Sequence, residues 1–253
     1  LDAEPGLPGT HWPVERFGRF AEQLGRGQGR YLAGEPVPTL PWLSRGFLRQ
    51  YALESKPVDG SAYTDDALWA CPAVEPLRPL RDRLHALWEE RELYTTVVES
   101  LPATVCHLDV WPPNLVADGG DSVLLDWSFA GIGAIGEDVG NLVPDCVFDG
   151  WLAPADLPAL DAAVTAGHLA GLRAAGWDGD PREVRLGVVA AGAAKYCWLA
   201  ELVLRRAVDG SAAGYGGATD PDRLPRIAVV LDFLLGWADE ARSLAAALPS
   251  RSG

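Results

Sequence analysis

One stretch of the chain combines residue types that could transfer a phosphoryl group. Asn114 follows Asp109 after five positions, and Asp126 follows Asn114 after twelve. In phosphoryl transfer, one carboxylate accepts or orients the proton of the attacking hydroxyl group, while a second carboxylate and an amide oxygen hold Mg²⁺ against the phosphates of a nucleotide. A loop followed by a hairpin can bring three such side chains to one cleft. The spacing therefore indicates phosphoryl-transfer chemistry.

The pattern of apolar residues around this stretch predicts a mainly α (α+β) chain. Helical periodicity predicts helices at 12–32 and 77–101, and the proline-rich residues 33–76 predict an irregular or broken-helix segment between them. Three short apolar segments follow, and the turn residues at 118–121 separate the last two, so we expect a small hairpin. The rest of the chain is predicted to be helical, in blocks that open near Pro154, Pro181 and Pro221.

The same motifs resemble those of a known family. The stretch His107-Leu-Asp109-Val-Trp-Pro-Pro-Asn114, followed by Leu124-Leu-Asp126-Trp127, is similar to the catalytic loop and metal motif of the aminoglycoside phosphotransferase and choline kinase families. These families are relatives of the protein kinases. Residues 131–142 are similar to the segment that follows the metal-binding Asp in those families. The resemblance runs from about residue 12 to the C-terminal helices, which is the layout of their C-terminal lobe.

The resemblance implies a role for each matching residue. Asp109 matches the catalytic base, whereas Asn114 and Asp126 match ligands of Mg²⁺. His107 and Asp138 match residues that support the catalytic loop, and for His107 this role is close to that of a packed core histidine. The implied activity is a phosphotransferase that uses ATP or GTP to phosphorylate a hydroxyl group of a small molecule. The sequence does not choose between the two nucleotides.

Signals of a nucleotide-clamping N-terminal lobe are missing before the catalytic loop. Such a lobe needs a phosphate-covering loop and a strand lysine that pairs with a helix glutamate. Lys56 and Lys195 are the only lysines. A proline follows Lys56, which suits no central strand, and Lys195 falls in a predicted late helix. We therefore expect the C-terminal lobe of a protein-kinase-like fold, helical with a small β-hairpin that carries Asp126, and without its N-terminal β lobe.

This expectation divides the chain into a connector and one lobe. Residues 1–11 are rich in Pro and Gly and are predicted to be a disordered connector. The kinase-like lobe is predicted over 12–249, with a helical part before the catalytic loop, a catalytic and metal-binding segment, and C-terminal helices (12–101, 102–150 and 151–249). Because the chain contains no Met, we also expect it to be incomplete.

Charge limits the partners of this chain. The formal net charge of −14 disfavours nucleic acid and anionic membranes as partners. Between Glu92 and Leu172 there are twelve acidic residues and no Lys or Arg. This run is either a solvated surface or a pocket for a cationic acceptor such as an aminoglycoside. The candidate contacts with such an acceptor are Asp145, Asp149 and Glu201.

Cysteine usage and hydropathy predict a cytoplasmic protein with no membrane span. The four cysteines include no CxxC pair, which is typical of reduced, mostly buried thiols. The most apolar long stretch, 186–204, contains Lys195 and Glu201 and several Gly and Ala residues. It therefore predicts a buried helix rather than a transmembrane helix.

The sequence also suggests four alternatives to a phosphotransferase site. Gly131, Gly133 and Gly136 spell the dinucleotide-binding pattern GxGxxG, but the second strand and its acidic residue are missing downstream, so these glycines more simply allow a sharp turn. Cys106 beside His107 could ligate zinc or act as a nucleophile, but no second ligand pair or separate catalytic partner accompanies it. The remaining alternative is a noncatalytic, stand-alone lobe that binds cationic small molecules.

Overall fold

The computed structural model describes residues 6–56, 58–210 and 222–248. The α-helices within these residues are α1 (Val14–Leu32), α2 (Phe47–Arg49), α3 (Ser61–Thr64), α4 (Asp66–Ala70), α5 (Arg81–Glu89), α6 (Arg91–Glu99), α7 (Glu137–Phe148), α8 (Leu157–Ala174), α9 (Pro181–Tyr196), α10 (Leu199–Asp209) and α11 (Arg223–Ala247). The strands are β1 (Ser44–Arg45), β2 (Ala103–Cys106), β3 (Leu115–Asp118), β4 (Asp121–Leu124) and β5 (Gly131–Ala134). The prediction of a mostly helical chain with a small β-element is confirmed.

Two small sheets surround the segment that carries the motifs. Strands β3 and β4 form the predicted hairpin, with Leu115 opposite Leu124. Strand β5 lies in a second sheet, parallel to β1 and antiparallel to β2. Residues 6–8 of the expected disordered connector lie along β3, where Gly6 N donates to Ala117 O and Ala117 N donates to Leu7 O.

The glycine-rich segment after the hairpin forms strand β5 rather than the turn expected there. A side chain at Gly131 or Gly133 would meet the neighbouring strand or the carboxylate of Glu137, so glycine allows these close approaches. The turn falls at Gly136, whose positive φ of 86° suits glycine and leads into α7. Within the described residues no strand follows α7, so the βαβ unit of a dinucleotide site is missing.

The helix predicted at 77–101 is divided in the structure. Residues Pro72–Leu80 form a 3₁₀-helix, because Pro76 and Pro79 have no N–H for the α-helical hydrogen-bond ladder. The chain then forms α5 and α6, which are separated at Glu90. Of the predicted helix starts, Pro181 opens α9 behind the capping side chain of Asp180. Pro221 lies outside the described residues.

The apolar stretch of the sequence is buried in α9 and α10. The run Pro181–Asp209 is apolar enough to span a membrane by length and composition alone, but 94% of its most apolar window is buried inside the fold. Helix α9 packs against α6, α7 and α11 and carries Lys195 near its C-terminal end. The predicted burial of this stretch is confirmed, but a turn at residues 197–198 divides the single predicted helix into α9 and α10.

Helices α1 and α8 pack together through glycines. Gly25 of α1 lies against the backbone of α8 at His168, and Gly171 of α8 lies against the backbone of α1 at Glu22. Glycine is poor for helix propensity, but here the missing side chains let the two backbones approach closely. By contrast, Gly27 of α1 is exposed, and a Cβ atom added there would have no other atom within 4 Å.

We predict opposite effects for two glycine-to-alanine substitutions in this helix pair. The Cβ atom of Gly171→Ala would overlap the carbonyl oxygen of Glu22, so the free energy of unfolding should fall by about 2–3 kcal/mol. Gly27→Ala meets nothing and should raise it by up to about 1 kcal/mol. Urea unfolding measures both values, and equal effects of the two variants would contradict this packing.

Candidate active site

The loop that connects β2 to the hairpin is held by one buried carboxylate. Asp138, in the first turn of α7, accepts hydrogen bonds from the backbone N–H groups of His107 (2.9 Å) and Leu108 (2.7 Å). Leu108 has a positive φ of 67°, which is uncommon for a residue with a side chain. The two hydrogen bonds fix the backbone at this strained point, immediately before Asp109.

The carboxylate of Asp138 belongs to a buried polar chain. Its Oδ2 also accepts a hydrogen bond from Gln28 Nε2 at 2.8 Å, and Gln28 Oε1 lies 2.8 Å from His168 Nε2. Burial lowers the pKa of His168 to about 4, so its neutral ring donates to Gln28 at physiological pH. The role of Gln28 and His168 could not be predicted from the sequence, because α1 and α8 reach the loop only in the folded chain.

Three polar residues on one face of α7 contact the site. Asp138, Asn141 and Asp145 are three and four positions apart, which places them on the same side of a helix. Asn141 Nδ2 donates to Val110 O at 2.6 Å, and Tyr196 OH donates to Asp145 Oδ1 at 2.6 Å. The helical spacing is a signal from which Asn141 could have been predicted, whereas Tyr196 arrives from the distant helix α9.

Asp109 and Asn114 lie in direct contact. Asn114 Nδ2 donates to the backbone oxygen of Asp109 at 3.0 Å and to its carboxylate at 3.1 Å. Asn114 is nearly buried and ends the 3₁₀ turn Pro112–Asn114. The turn closes the loop on itself, so the five-residue spacing in the sequence becomes a contact between the two side chains.

Asp126 lies just beyond the second strand of the hairpin. Leu125 N donates to Asn114 O at 2.8 Å, which brings the residue before Asp126 against the backbone of Asn114. Asp126 has a positive φ of 57° and an exposed carboxylate, and Ser128 donates to this carboxylate from its hydroxyl and its N–H. These bonds, first that of the hydroxyl, lower the pKa of Asp126. The carboxylate therefore stays ionised at neutral pH.

His107 connects the loop to the segment that carries Asp126. Its Nε2 lies 2.8 Å from Leu125 O, and its fully buried ring contacts the edge of Trp127, with ring centroids 4.8 Å apart. The carbonyl partner requires an N–H at Nε2. The histidine thus holds the two motif segments together from inside the fold. It does not line the cavity that opens beside Asp109.

A cavity of about 430 Å³ opens beside Asp109. Its polar walls include three acidic and three basic side chains, so the lining combines both signs of charge. The acids come from the acidic run, but the fold adds cations from distant segments. The charged lining residues are Asp109, Asp145, Asp149, Lys56, Lys195 and Arg206. The aromatic ones are Phe47, Tyr51, Trp111, Phe129, Phe148, Tyr196 and Trp198.

Two of the three predicted acceptor contacts line this cavity. Asp145 and Asp149 do so, whereas the structure places Glu201 elsewhere. Glu201 is fully buried, accepts a hydrogen bond from Gly60 N at 2.6 Å and forms an ion pair with Arg205 at 2.6 Å. It fixes the chain near residue 60 on α10, a role that its position on a predicted helix could not reveal.

Burial shifts the charges inside the cavity. Desolvation raises the pKa of Asp145 to about 7, and the nearby Lys195 and the hydroxyl of Tyr196 oppose this shift. Desolvation also lowers the pKa of the fully enclosed Lys195, which Asp145 and Asp109 partly offset. At neutral pH Asp145 is therefore ionised in only part of the molecules.

The cysteine alternatives find little support in the structure. Cys106 is fully buried, and its Sγ lies 3.7 Å from Ala134 O. Burial raises the pKa of this thiol well above its usual value, which disfavours the reactive thiolate. Among the residues that the structure describes, no group of three or more His, Cys, Asp or Glu side chains is arranged to hold a metal ion, so a zinc site lacks its ligand set.

Comparisons with known proteins were made for the sequence and for the structure. The sequence profile of the phosphotransferase enzyme family, APH, matches residues 5–182. No curated protein matches the chain. Among solved structures, a choline/ethanolamine kinase family protein from Mesorhizobium loti has a TM-score of 0.51 at 16% identity, with 93% of this chain and 70% of that chain covered. This likeness shows a shared fold.

Two further solved structures are more distant. A choline kinase from Cryptosporidium parvum Iowa II has a TM-score of 0.45 at 11% identity, covering 98% of this chain and 70% of that chain. The amicoumacin kinase hAmiN, in complex with AMP-PNP, Ca²⁺ and Ami, has a TM-score of 0.44 at 12% identity, covering 98% of this chain and 64% of that chain.

We predict that the substitution Asp145→Asn changes stability in a pH-dependent way. The pKa of Asp145 is raised to about 7 in the folded chain from an ordinary value of 3.8. The carboxyl group therefore favours folding fully only below pH 4, and this contribution is lost as the pH rises through 7. Asn resembles the protonated form and does not titrate. Between pH 5 and pH 8.5, the free energy of unfolding of the variant should therefore rise by about 2–3 kcal/mol relative to that of the parent.

Urea unfolding at the two pH values measures this difference. The matched control is Asp180→Asn, at the exposed N-cap of α9, where bonds from Arg182 lower the pKa of the carboxylate. Asp180 is ionised at both pH values, so its substitution should change the free energy of unfolding equally at both. A pH-independent effect of Asp145→Asn would show that this carboxyl group keeps an ordinary pKa.

Proposed function

This chain belongs to the phosphotransferase enzyme family, and we propose that it transfers a phosphoryl group from ATP or GTP to a hydroxyl group of a small molecule. The observation that carries the proposal is the position of Asp109. Its carboxylate lines a cavity of small-molecule size and also contacts Asn114, the first of two candidate ligands of a cation. An acceptor in the cavity would thus lie beside a base and a metal site.

Asp109 is proposed as the catalytic base. In phosphoryl transfer this role is to accept or orient the proton of the attacking hydroxyl group. The amide of Asn114 donates to one oxygen of the Asp109 carboxylate, which fixes the carboxylate plane and leaves the other oxygen for the hydroxyl group of the acceptor. The buried hydrogen bonds that Asp138 accepts from the adjoining backbone hold this arrangement before the acceptor binds.

Asn114 and Asp126 are proposed as ligands of Mg²⁺. The amide nitrogen of Asn114 is occupied by Asp109, so its oxygen is the atom left for a cation. The low pKa of Asp126 keeps a full negative charge at the end of the hairpin. One carboxylate and one amide oxygen suit Mg²⁺, which usually takes its other ligands from phosphates and water. When bound there, Mg²⁺ would neutralise charge on the nucleotide phosphates.

The nucleotide is proposed to bind between this lobe and an N-terminal β lobe outside the described residues. Apolar side chains around Asp126 support this proposal, because Leu125, Trp127 and Phe129 are 43%, 52% and 46% exposed. A cluster of half-exposed large apolar residues at a charged site is typical of a binding surface.

The buried thiols of Cys106, Cys146 and Cys197 fit a reducing compartment, and we propose a cytoplasmic location.

We predict that Asp109→Asn lowers turnover far more than it lowers nucleotide affinity. The substitution keeps the size of the side chain but removes the carboxylate that receives or orients the proton. General-base catalysis contributes about 10²–10⁴-fold, so kcat in the full-length protein should fall by that order. Initial rates and nucleotide titrations measure the two effects. Near-normal turnover would refute the role of Asp109, and a noncatalytic lobe would show no turnover in either protein.

Asp126→Asn provides the matched comparison at the metal site. It also replaces a carboxylate with an amide, but it removes the only full negative charge proposed to bind Mg²⁺. We therefore expect weaker binding of Mg²⁺-nucleotide together with lower turnover. Melting curves check that both variants remain folded. If the two variants lose nucleotide affinity equally, the division between a base and a metal ligand is wrong.

A further inference from the structure

Both lysines of the chain line the cavity beside Asp109. Lys56 comes from the irregular segment before α3, and Lys195 comes from the C-terminal end of α9. Their ammonium groups lie over the same ring, 3.6 Å and 5.0 Å from the centroid of Tyr51. Segments 139 residues apart thus deliver two positive charges to one wall of the candidate acceptor site.

Lys195 is the deeper of the two cations. It is almost completely buried, and its Nζ donates to Leu108 O at 3.4 Å, one residue before Asp109. Its strongest favourable electrostatic interactions are with Asp145 and Asp109. Lys195 therefore lies close to the reacting end of the cavity, next to the backbone that positions the proposed base.

Lys56 has a positive charge that no acid among the described residues neutralises. Its Nζ lies between the rings of Tyr51 and Trp198, 3.6 Å and 4.4 Å from their centroids. Among the described residues, no carboxylate lies within ion-pair distance of this ammonium group. Partial burial, and after it the like charge of Lys195, lowers the pKa of Lys56. Rings stabilise an ammonium group only in part.

All three acidic side chains that line the cavity, Asp149 included, already have interaction partners. Asp109 accepts from Asn114, and Asp145 accepts from Tyr196. Burial also raises the pKa of Asp145 to about 7, so part of its charge is absent at neutral pH. The described acids of the cavity therefore leave the charge of Lys56 unpaired, although the protein has a formal net charge of −14. A cation that is partly removed from water and lacks a counter-charge gains free energy when a ligand supplies one.

We propose that the acceptor carries an anionic group, such as a carboxylate, which binds to Lys56 and Lys195. Its apolar body would pack on the aromatic walls, and its hydroxyl group would face Asp109. This inference rests on the proposed phosphotransferase function and names the chemistry of its acceptor: a hydroxy acid with an apolar body. It replaces the cationic acceptor that the acidic sequence run favours.

The same cations could instead bind phosphates of the nucleotide. Both ligands are oxyanions, so charge alone does not separate them. The position of Lys56 favours the acceptor, since its ammonium group lies among the aromatic side chains of the cavity rather than at the hairpin that carries Asp126. The experiment therefore includes one probe for each source.

Selective labelling of lysine at ¹³Cε tests the proposal directly. The chain has only two lysines, so NMR shows two ¹³Cε signals, and Lys56→Gln assigns them by removing one. The probes are 3-phenyllactate and 1-phenylpropan-2-ol, which share a ring and a hydroxyl group but differ in a carboxylate or a methyl group. Inorganic tripolyphosphate represents the donor. No turnover is needed, so the result is independent of the test on Asp109.

We expect 3-phenyllactate to move both signals saturably and to bind at least about tenfold more tightly than the alcohol, as expected for one charge-assisted contact of about 1.5 kcal/mol. Lys56→Gln should reduce this preference to less than about threefold. Arg182→Gln removes an exposed cation on α9 and should leave the preference unchanged.

Two results would overturn the proposal. Equal affinities for the acid and the alcohol, or lysine signals that do not respond to the acid, would show that no anionic acceptor binds here. Signals that respond to tripolyphosphate but not to the hydroxy acid would assign the lysines to the donor. The second result would leave the phosphotransferase proposal standing, which depends on Asp109 and is tested by turnover.

Discussion

The geometry of the candidate site depends on the hydrogen bonds that Asp138 accepts from the backbone of His107 and Leu108. Leu108 has a left-handed conformation, which costs free energy and persists only where the surroundings hold it. Burial raises the pKa of Asp138, and the two N–H donors oppose this effect. Each carboxylate oxygen of Asp138 accepts one of the two loop bonds, whereas the amide of an asparagine offers only one accepting oxygen.

Helices α7 and α9 extend this support into the cavity. Gly140 lies where α7 packs closely on α9, and Gly187 lies where α9 packs closely on the residues just before α7. Neither glycine has a side chain that would keep these segments apart. The close contact lets Tyr196 reach Asp145 and lets Lys195 reach the carbonyl oxygen of Leu108. The loop is therefore held from both sides: α7 binds its N–H groups, and α9 binds one of its carbonyl groups.

The local parts of this site could be predicted from the sequence, but the cavity could not. The hairpin and the contact between Asp109 and Asn114 follow from turn residues and short spacings. Lys56 and Lys195 come from segments whose meeting depends on tertiary packing, so the sequence could not show that cations join Asp145 and Asp149 in the lining. Glu201 lies outside the described lining for the same reason, since the fold buries it in an ion pair with Arg205. Strand β5 was missed because glycine is rare in strands.

The central claim, that Asp138 holds the loop before Asp109, is tested most directly by hydrogen–deuterium exchange in Asp138→Asn. An amide can present only one accepting oxygen, so at least one of the two loop bonds is lost. Losing a hydrogen bond to a charged group costs about 1.5–3 kcal/mol, so we expect exchange across residues 105–110 to become about 10–100-fold faster. Exchange in α5 should stay unchanged. Equal protection of the loop in both proteins would contradict the account.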